Sequence, residues 1–430
     1  EDHRMTRRGM TLVEMMVAVT ATLILMGAVA QVFSVFGSAV SNSRAMLELD
    51  SRLRVVANRL RTDLKGITAC TLPPRSPDTA EGYFEIIEGP WKESDVGDGA
   101  DVARTDVDDV LLFTARSPSA PFVGRGPNGT FESPVAEVAW FARETVDPSG
   151  RLPVTFTLYR KQLLVLGYVG VAPFSSSNAA SFPGWSVYYS GTGNWPYDIS
   201  ARRVGMTLYP NSLADLTCRE NRFMHNITGT FGPAAFPSPF VDHATAVDGL
   251  IFSSTSTRYG EDVVLTNVLT FDVRVFDPAA PVHWTSSTAL VPQDPGPFST
   301  GTACGGYVDL GNNVTTNDLL SAIGKTPRFA GFGESKSGLA GSGITRRVYD
   351  TWSTHYEANG LNEDGDAQTD EGTDGIDSPV VNGQVDELGE FETLPPYPAP
   401  LRGIEVRIRC WEPSSRQVRQ VTVRHTFVPH

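Results

Sequence analysis

The chain has 430 residues, of which 40% are hydrophobic, so it is long enough for a sizeable core and its composition excludes wholesale disorder. Its 40 Gly, 30 Pro and 22 Phe favour many turns and short strands over a helical bundle. The formal net charge of −14 argues against nucleic acid as a partner, because phosphate binding needs clustered Lys and Arg.

The N-terminal segment combines a short basic stretch with a long apolar one. Glu1–Gly9 read EDHRMTRRG, and Met10–Phe36 then run for 27 positions with a single charge, Glu14. That many helical residues span roughly 40 Å, which is enough to cross a bilayer. The basic-then-apolar order fits an export signal or membrane anchor whose N-terminus stays in the cytoplasm.

Two details distinguish this segment from a generic signal anchor. The small residue suited to cleavage, Gly9, lies before the apolar run rather than after it, and Glu14 occupies the fifth position counted from Met10. A carboxylate in hydrocarbon costs several kcal/mol unless it is paired or reaches the interface. We therefore expect Glu14 to have a partner.

The run from Arg7 to Glu14, RRGMTLVE, resembles the type III signal of type IV pilins and type II secretion pseudopilins. The resemblance implies cleavage after Gly9 by prepilin peptidase and methylation of the new amino group on Met10. It also implies that Glu14 pairs with the N-terminal amine of a neighbouring subunit. The implied partners are other pilins or pseudopilins, an inner-membrane assembly platform and membrane lipid. The family usually has Phe where this chain has Met10, a mild departure because both side chains are large and apolar.

The same helix is predicted to continue beyond the membrane. No Pro occurs between Met10 and Leu72, and Gly66 is suited to ending a helix. Apolar residues recur at steps of four and three on one face: Leu49, Leu53, Val56, Leu60 and Leu64. We expect one helix of about 55 residues, crossing lipid over 10–36 and packing under a head over 37–66. A coiled-coil dimer through the same face is the alternative.

Residues 67–430 are predicted to form a β-rich head, which makes the protein α+β. Strands are expected from apolar alternation and turn signals at five places: Asp109–Ala115, a hairpin of Val135–Glu144 with Val154–Tyr168, Val263–Phe276 and Leu401–Val423.

Two of the predicted strands look alike. Phe271–Val275 and Ile404–Ile408 both alternate apolar and charged residues, and each is soon followed by an acid–Pro pair at which it should break. Duplicated halves and convergent strand patterns explain the likeness equally well. Leu401–Phe427 resembles the closing hairpin of J-type minor pseudopilins and PilW-like minor pilins.

An acidic segment precedes this hairpin. Asn359–Glu392 holds eleven Asp or Glu and no Lys or Arg. Within it, oxygen-bearing side chains alternate with Gly in a way that suits Ca²⁺, which takes about six to eight oxygen ligands: Asn362, Asp364, Asp366, Asp370, Asp374 and Asp377. A full EF-hand loop is absent, and the pattern looks more like the Asp-rich calcium loops of extracellular repeat proteins. The alternative is a solvated acidic loop.

Cysteine and histidine patterns give no metal or catalytic motif. The four Cys, at 70, 218, 304 and 410, allow up to two disulfides in any of three pairings, or buried thiols. The seven His form no HExxH motif, and neither a GxSxG elbow nor a P-loop occurs. We therefore expect no enzyme activity.

The resemblance implies a structural subunit of a type II secretion pseudopilus or type IV pilus. It would cross the inner membrane once and carry its head in the periplasm or on an extracellular filament. A head of 364 residues, 67–430, is bulky for a subunit repeated along a shaft, which favours a minor, tip-proximal role. The alternatives are a membrane-anchored exported adhesin or a hydrolase.

Overall fold

One long N-terminal helix precedes a β-rich domain in the computed structural model of the chain, which confirms the α+β prediction. The structure describes residues 11–71, 77–88, 106–107, 109–126, 129–145, 155–166, 198–204, 207–218, 221–223, 260–285, 289–292, 303–310, 347–352 and 401–428.

The helix, α1, runs unbroken from Leu12 to Lys65 over 54 residues, as the absence of Pro predicts. It ends at Gly66, whose N–H donates to the carbonyls of Asp63 and Leu64. A Cβ at Gly66 would lie 2.3 Å from the carbonyl oxygen of Arg116, so the close approach of the first sheet strands requires glycine here.

Fourteen strands follow among the described residues. In chain order they are β1 (Phe84–Glu88), β2 (Val110–Arg116), β3 (Phe122–Gly126), β4 (Gly129–Ser133), β5 (Val135–Glu144), β6 (Phe156–Leu164), β7 (Ala201–Val204), β8 (Thr207–Pro210), β9 (Val263–Thr285), β10 (Ala289–Pro292), β11 (Ala303–Val308), β12 (Arg347–Asp350), β13 (Gly403–Glu412) and β14 (Gln417–Thr426).

Ten of these strands form a single sheet in which every pairing is antiparallel. Its main order is β12–β1–β2–β5–β6–β9–β13–β14, and β10 and β11 both pair with β9. The pairs β3–β4 and β7–β8 form two small separate sheets. Antiparallel pairing suits a chain rich in turn residues, because neighbouring strands can be joined by short hairpins.

The predicted strands are present. β2 matches the buried strand expected at 109–115, and β5 pairs with β6 from Ala136↔Leu164 to Glu144↔Phe156, which confirms that hairpin. Its predicted turn, 147–150, lies outside the described residues. The closing hairpin is also confirmed, since β13 and β14 pair over ten consecutive positions without a register shift.

The two look-alike strands are neighbours in the sheet. Phe271 pairs with Ile408 and Val275 with Ile404, so their shared apolar residues lie on the same buried face. The predicted break at Asp277 is wrong, because β9 continues to Thr285. Pairing with β11 sustains the far half of β9, and a register irregularity in β11 between Cys304 and Gly306 accommodates the prolines of this stretch. The matching break after β13 is confirmed, since that strand ends at Glu412.

The core lies between α1 and one face of the large sheet. Every residue of the predicted apolar stripe of α1 is buried, with 3% exposure or less: Leu49, Leu53, Val56, Leu60 and Leu64. It packs against buried sheet residues, including Phe113, Trp140, Phe271, Val406 and Ile408. The stripe is therefore filled by the chain's own sheet and is not the seam of a coiled coil.

Candidate functional site: the N-terminal helix and its seat in the head

Thr11 and Glu14 form a reciprocal capping box at the start of α1. The Glu14 N–H donates to Thr11 Oγ1 at 3.3 Å, and Glu14 Oε2 accepts from the Thr11 N–H at 2.8 Å and from its hydroxyl at 3.0 Å. Within a single chain, Glu14 therefore satisfies the otherwise unpaired amide of Thr11, and Thr11 satisfies that of Glu14. The family resemblance implies only an intersubunit role for Glu14, whereas the Thr-x-x-Glu spacing in the sequence also predicts this cap. Gly9 and Met10 lie outside the described residues.

The N-terminal half of α1 presents apolar side chains on every side. Large apolar residues between Leu12 and Phe36 expose from 47%, at Val29, to 77%, at Leu12. The most apolar window of α1 has a mean hydropathy of 2.1 and no buried residue, so the helix is long and apolar enough to cross a membrane. Such a surface is stable in lipid or against the apolar helices of other subunits.

Two threonine hydroxyls in this half are satisfied by the helix itself. Thr20 Oγ1 donates to the Met16 carbonyl at 2.8 Å, and Thr22 Oγ1 donates to the Ala18 carbonyl at 2.7 Å. Because each hydroxyl has an acceptor within its own helix, these residues do not bring unsatisfied polar groups into an apolar surrounding.

A buried ion pair fixes the other end of α1 to the sheet. Arg160 on β6 donates from Nε to Asp63 Oδ2 at 2.6 Å and from Nη2 to Asp63 Oδ1 at 2.9 Å. The Trp140 indole N–H on β5 donates to the same carboxylate at 3.1 Å. The Asp63 and Arg160 side chains are only 3% and 7% exposed, so the pair is shielded from solvent and sets the position of α1 along the sheet.

A second buried network lies on the sheet around Arg222. Its Nη1 lies 2.9 Å from Glu85 Oε2 and 3.0 Å from Asp350 Oδ1, and its guanidinium stacks 4.2 Å from the Tyr83 ring centroid. Burial acts to lower the pKa of Arg222, but the carboxylates of Asp350 and Glu85 outweigh it and raise the pKa above its ordinary value. The network ties the 221–223 segment to β1 and to the end of β12.

Glu137 on β5 is a completely buried acid beside this network. Its Oε1 accepts from Tyr83 Oη at 3.0 Å and from the Phe223 N–H at 3.1 Å. Burial raises the pKa of Glu137 to about 7, against the opposing effects of Ser200, Phe223 and Tyr83. The protonation of this side chain therefore changes near neutral pH.

Three buried carboxylates from separate parts of the chain could hold a divalent cation. Ligand atoms of Asp106, Asp109 and Asp272 lie within 4.8 Å of one another. Asp109 Oδ2 also accepts the Val273 N–H at 2.6 Å. Sequence spacing could not find this group, because the fold brings Asp272 of β9 to the segment before β2. The six residues predicted to bind calcium, Asn362, Asp364, Asp366, Asp370, Asp374 and Asp377, lie outside the described residues.

Cys410 is a buried thiol whose Sγ donates to the Thr266 carbonyl at 3.2 Å. Burial, with the nearby Glu412 carboxylate, raises the pKa of the Cys410 thiol to about 12. In the part of the chain that the structure describes, the Cys410 sulfur is therefore a thiol and not half of a disulfide.

Comparison with known protein families gives one match, at the N-terminus. Residues 4–30 match the prokaryotic N-terminal methylation motif, which is the signal of type IV pilins and pseudopilins. The chain carries the signal of a type IV pilin-like protein. No curated protein and no solved structure matches the chain.

In this pilin-like protein, the methylation motif lies on the same part of the chain as the exposed apolar half of α1. The matched segment, 4–30, includes the capping box and most of the exposed apolar half of α1. It indicates membrane anchoring by a single helix, processing by prepilin peptidase and partners of the pilin type. The motif points to a structural subunit rather than an enzyme.

Proposed function

We propose that this pilin-like protein is a minor, tip-proximal subunit of a type II secretion pseudopilus or a type IV pilus. The observation that carries the proposal is a methylation motif at residues 4–30 placed on a helix whose apolar half is exposed on every side. Cleavage after Gly9 would free the amine of Met10 for methylation, and the helix would pass from the inner membrane into the filament core. The large head, 67–430, would sit at the tip, where repetition along the shaft does not crowd it.

Glu14 would set the position of each subunit in the filament. In the isolated chain its carboxylate accepts hydrogen bonds from Thr11, the second residue of the proposed mature protein. In an apolar filament core, the methylated amine of a neighbouring Met10 would complete the neutralisation of that carboxylate. A misplaced neighbour would leave the buried charge unpaired, at a cost of several kcal/mol.

The experiment that tests this function is substitution of Glu14. Glu14→Leu should still enter the membrane, because it removes a charge from the apolar helix, but it should be lost from sheared filaments or pseudopili. Glu14→Asp, which keeps the charge on a shorter side chain, is the matched control and should retain part of the incorporation. Normal incorporation of Glu14→Leu would contradict the proposed pairing and would show that α1 acts only as a hydrophobic anchor.

We also propose that the acidic segment binds calcium through Asn362, Asp364, Asp366, Asp370, Asp374 and Asp377. Crowded carboxylates repel one another, and a divalent ion converts that repulsion into ligation. A ligand that binds only the folded state raises stability by about 2.7 kcal/mol at a hundredfold excess over its dissociation constant. Thermal melting with calcium and with chelator, in the parent and in Asp364→Ala/Asp366→Ala, tests this. An equal calcium effect in both proteins would contradict it.

A further inference from the structure

We propose that the outer edge of β14, with which no other strand among the described residues pairs, accepts an extended, acid-bearing strand from a different subunit of the same filament. The proposal rests on the proposed function, since the donor is another filament subunit. β14 ends the main strand order of the large sheet, and no strand lies beyond it in the part of the chain that the structure describes. Addition of a strand to such an edge is a common way to bind an extended peptide, because the backbone supplies the hydrogen bonds.

The register shows which backbone groups point outward. The Phe427 N–H donates to the Arg402 carbonyl at 2.9 Å, so these two positions form a hydrogen-bonded pair between the strands. Antiparallel pairs alternate between hydrogen-bonded and non-hydrogen-bonded, so the pairs with Val423 and Val421 also face inward. The amides of the alternate residues, Val418, Gln420, Thr422 and Arg424, must then point to the open edge.

This edge lacks three of the features that usually block strand addition, and its one protective feature, charged side chains, deters a like-charged strand but not an acidic one. Natural edge strands are often very short, interrupted by Pro or twisted by a bulge. β12, at the opposite edge, has four residues, whereas β14 has ten, contains no Pro and pairs with β13 without a register shift. Val418 exposes 44% of its surface next to the edge. Among the described residues, β14 therefore offers a long edge to a further strand, whereas β12 offers only a short one.

The charge of the hairpin identifies the chemistry of the incoming strand. Residues 401–428 hold six Arg and two Glu, a net charge of +4 in a chain whose total is −14. Arg424 on β14 pairs with Glu405 at 2.5 Å, and Arg419 lies 3.7 Å from Asp50 of α1. Both arginine side chains nevertheless stay exposed to solvent, at 67% and 49%, and can meet a further carboxylate. Opposite charges on adjacent strands stabilise a sheet and like charges destabilise it. An acidic strand fits this edge, whereas a second copy of β14 would place arginines against arginines.

A photo-crosslinking side chain at Gln420, in the full-length protein in its native host, tests the edge directly. The matched exposed control is Val123 on β3, which is 49% exposed. Thr422→Pro removes one outward amide and leaves the β13 ladder intact, and Thr422→Ala is its control. Arg416→Glu is a second variant, which reverses an exposed charge beside the hairpin turn without altering the ladder.

Position 420 should crosslink to an acidic, extended segment of another pilin-like subunit, identified by mass spectrometry of the joined peptides. Thr422→Pro should weaken that crosslink by about tenfold, because one backbone hydrogen bond and its register are lost, while Thr422→Ala should not. Arg416→Glu should also weaken it, because the reversed charge repels an acidic strand. Protease resistance of the membrane-embedded variants checks that they are folded.

Three results would overturn the inference while leaving the proposed function intact: crosslinking to a second copy of this chain, a crosslink that both variants leave unchanged, or no crosslink from position 420 in normally assembled filaments. If the parent protein, with Glu14 intact, does not enter filaments, the proposed function fails and the inference fails with it.

Discussion

At the scale of single residues, buried charges determine how the helix is seated in the head. The carboxylate of Asp63 is held by Arg160 and Trp140 at distances of 2.6–3.1 Å, and little solvent reaches it. Breaking such a pair costs more than the pair itself contributes, because the remaining charge stays buried without its partner. Arg59 also approaches Asp63, at 3.6 Å, but its side chain is half exposed.

We predict that Arg160→Met lowers the free energy of unfolding by about 3–5 kcal/mol, because it leaves Asp63 buried and unneutralised by its main partner. Arg59→Met should cost less than about 1 kcal/mol, as solvent-exposed ion pairs do. Urea denaturation of a soluble chain, residues 43–430, measures both. Equal losses in the two variants would show that burial does not make the Asp63–Arg160 pair contribute more to stability than the half-exposed Asp63–Arg59 pair.

Glu137 makes stability depend on pH. Its pKa is raised from 4.5 to about 7 by burial, so the folded protein keeps a proton that the unfolded chain releases. The sign follows from linkage: the contribution of the protonated side chain is fully present below pH 4.5 and is lost as pH rises to about 7. The loss is on the order of 3 kcal/mol.

The variant Glu137→Gln should flatten this pH dependence between about 4.5 and 7, because glutamine keeps an acceptor for Tyr83 and Phe223 but does not ionise. Denaturation midpoints across that pH range measure the effect. A variant that loses stability with the same slope as the parent would assign the pH dependence to other groups.

At the scale of elements, the sequence predicts those helices and strands whose formation depends on the local residue pattern. The length of α1, its end at Gly66 and the β5–β6 hairpin follow from periodicity and turn residues, and all are present. The far half of β9 could not be predicted, because its pairing with β11 overrides the local signal of an Asp-Pro break.

Long-range contacts were likewise out of reach of the sequence. Asp63 and Arg160 lie 97 positions apart, and the Asp106, Asp109 and Asp272 group joins two distant segments. The local sequence around each of these residues gives no indication of its distant partners. By contrast, the capping role of Glu14 was available from its three-residue spacing to Thr11 and could have been predicted.

The buried and exposed faces of the C-terminal half of α1 should respond differently to substitution. Leu60 is completely buried against the sheet, so Leu60→Ala should lower the free energy of unfolding by about 2–5 kcal/mol. Leu47 is 70% exposed, so Leu47→Ala should change stability by less than about 0.5 kcal/mol. Denaturation of the soluble chain compares them. A large loss at Leu47 would mean that the exposed face also packs within the head.

At the scale of the whole molecule, the chain has two parts with different surroundings. The buried residues of α1 from Met46 to Leu64 belong to the core of the head, while the large apolar residues before them are exposed among the residues that the structure describes. A soluble head must therefore keep the helix from about residue 43, because removing it at 67 would strip one side of the core. The exposed half is left for lipid and for other subunits.

The most direct test of the pilin-like account is the N-terminus of the protein in its native host. Mass spectrometry of protein from membranes with active prepilin peptidase should find a chain that begins at N-methylated Met10. Gly9→Val should retain the upstream residues and still insert in the membrane. An unmethylated N-terminus upstream of Gly9 in the parent protein, with the peptidase active, would contradict the account.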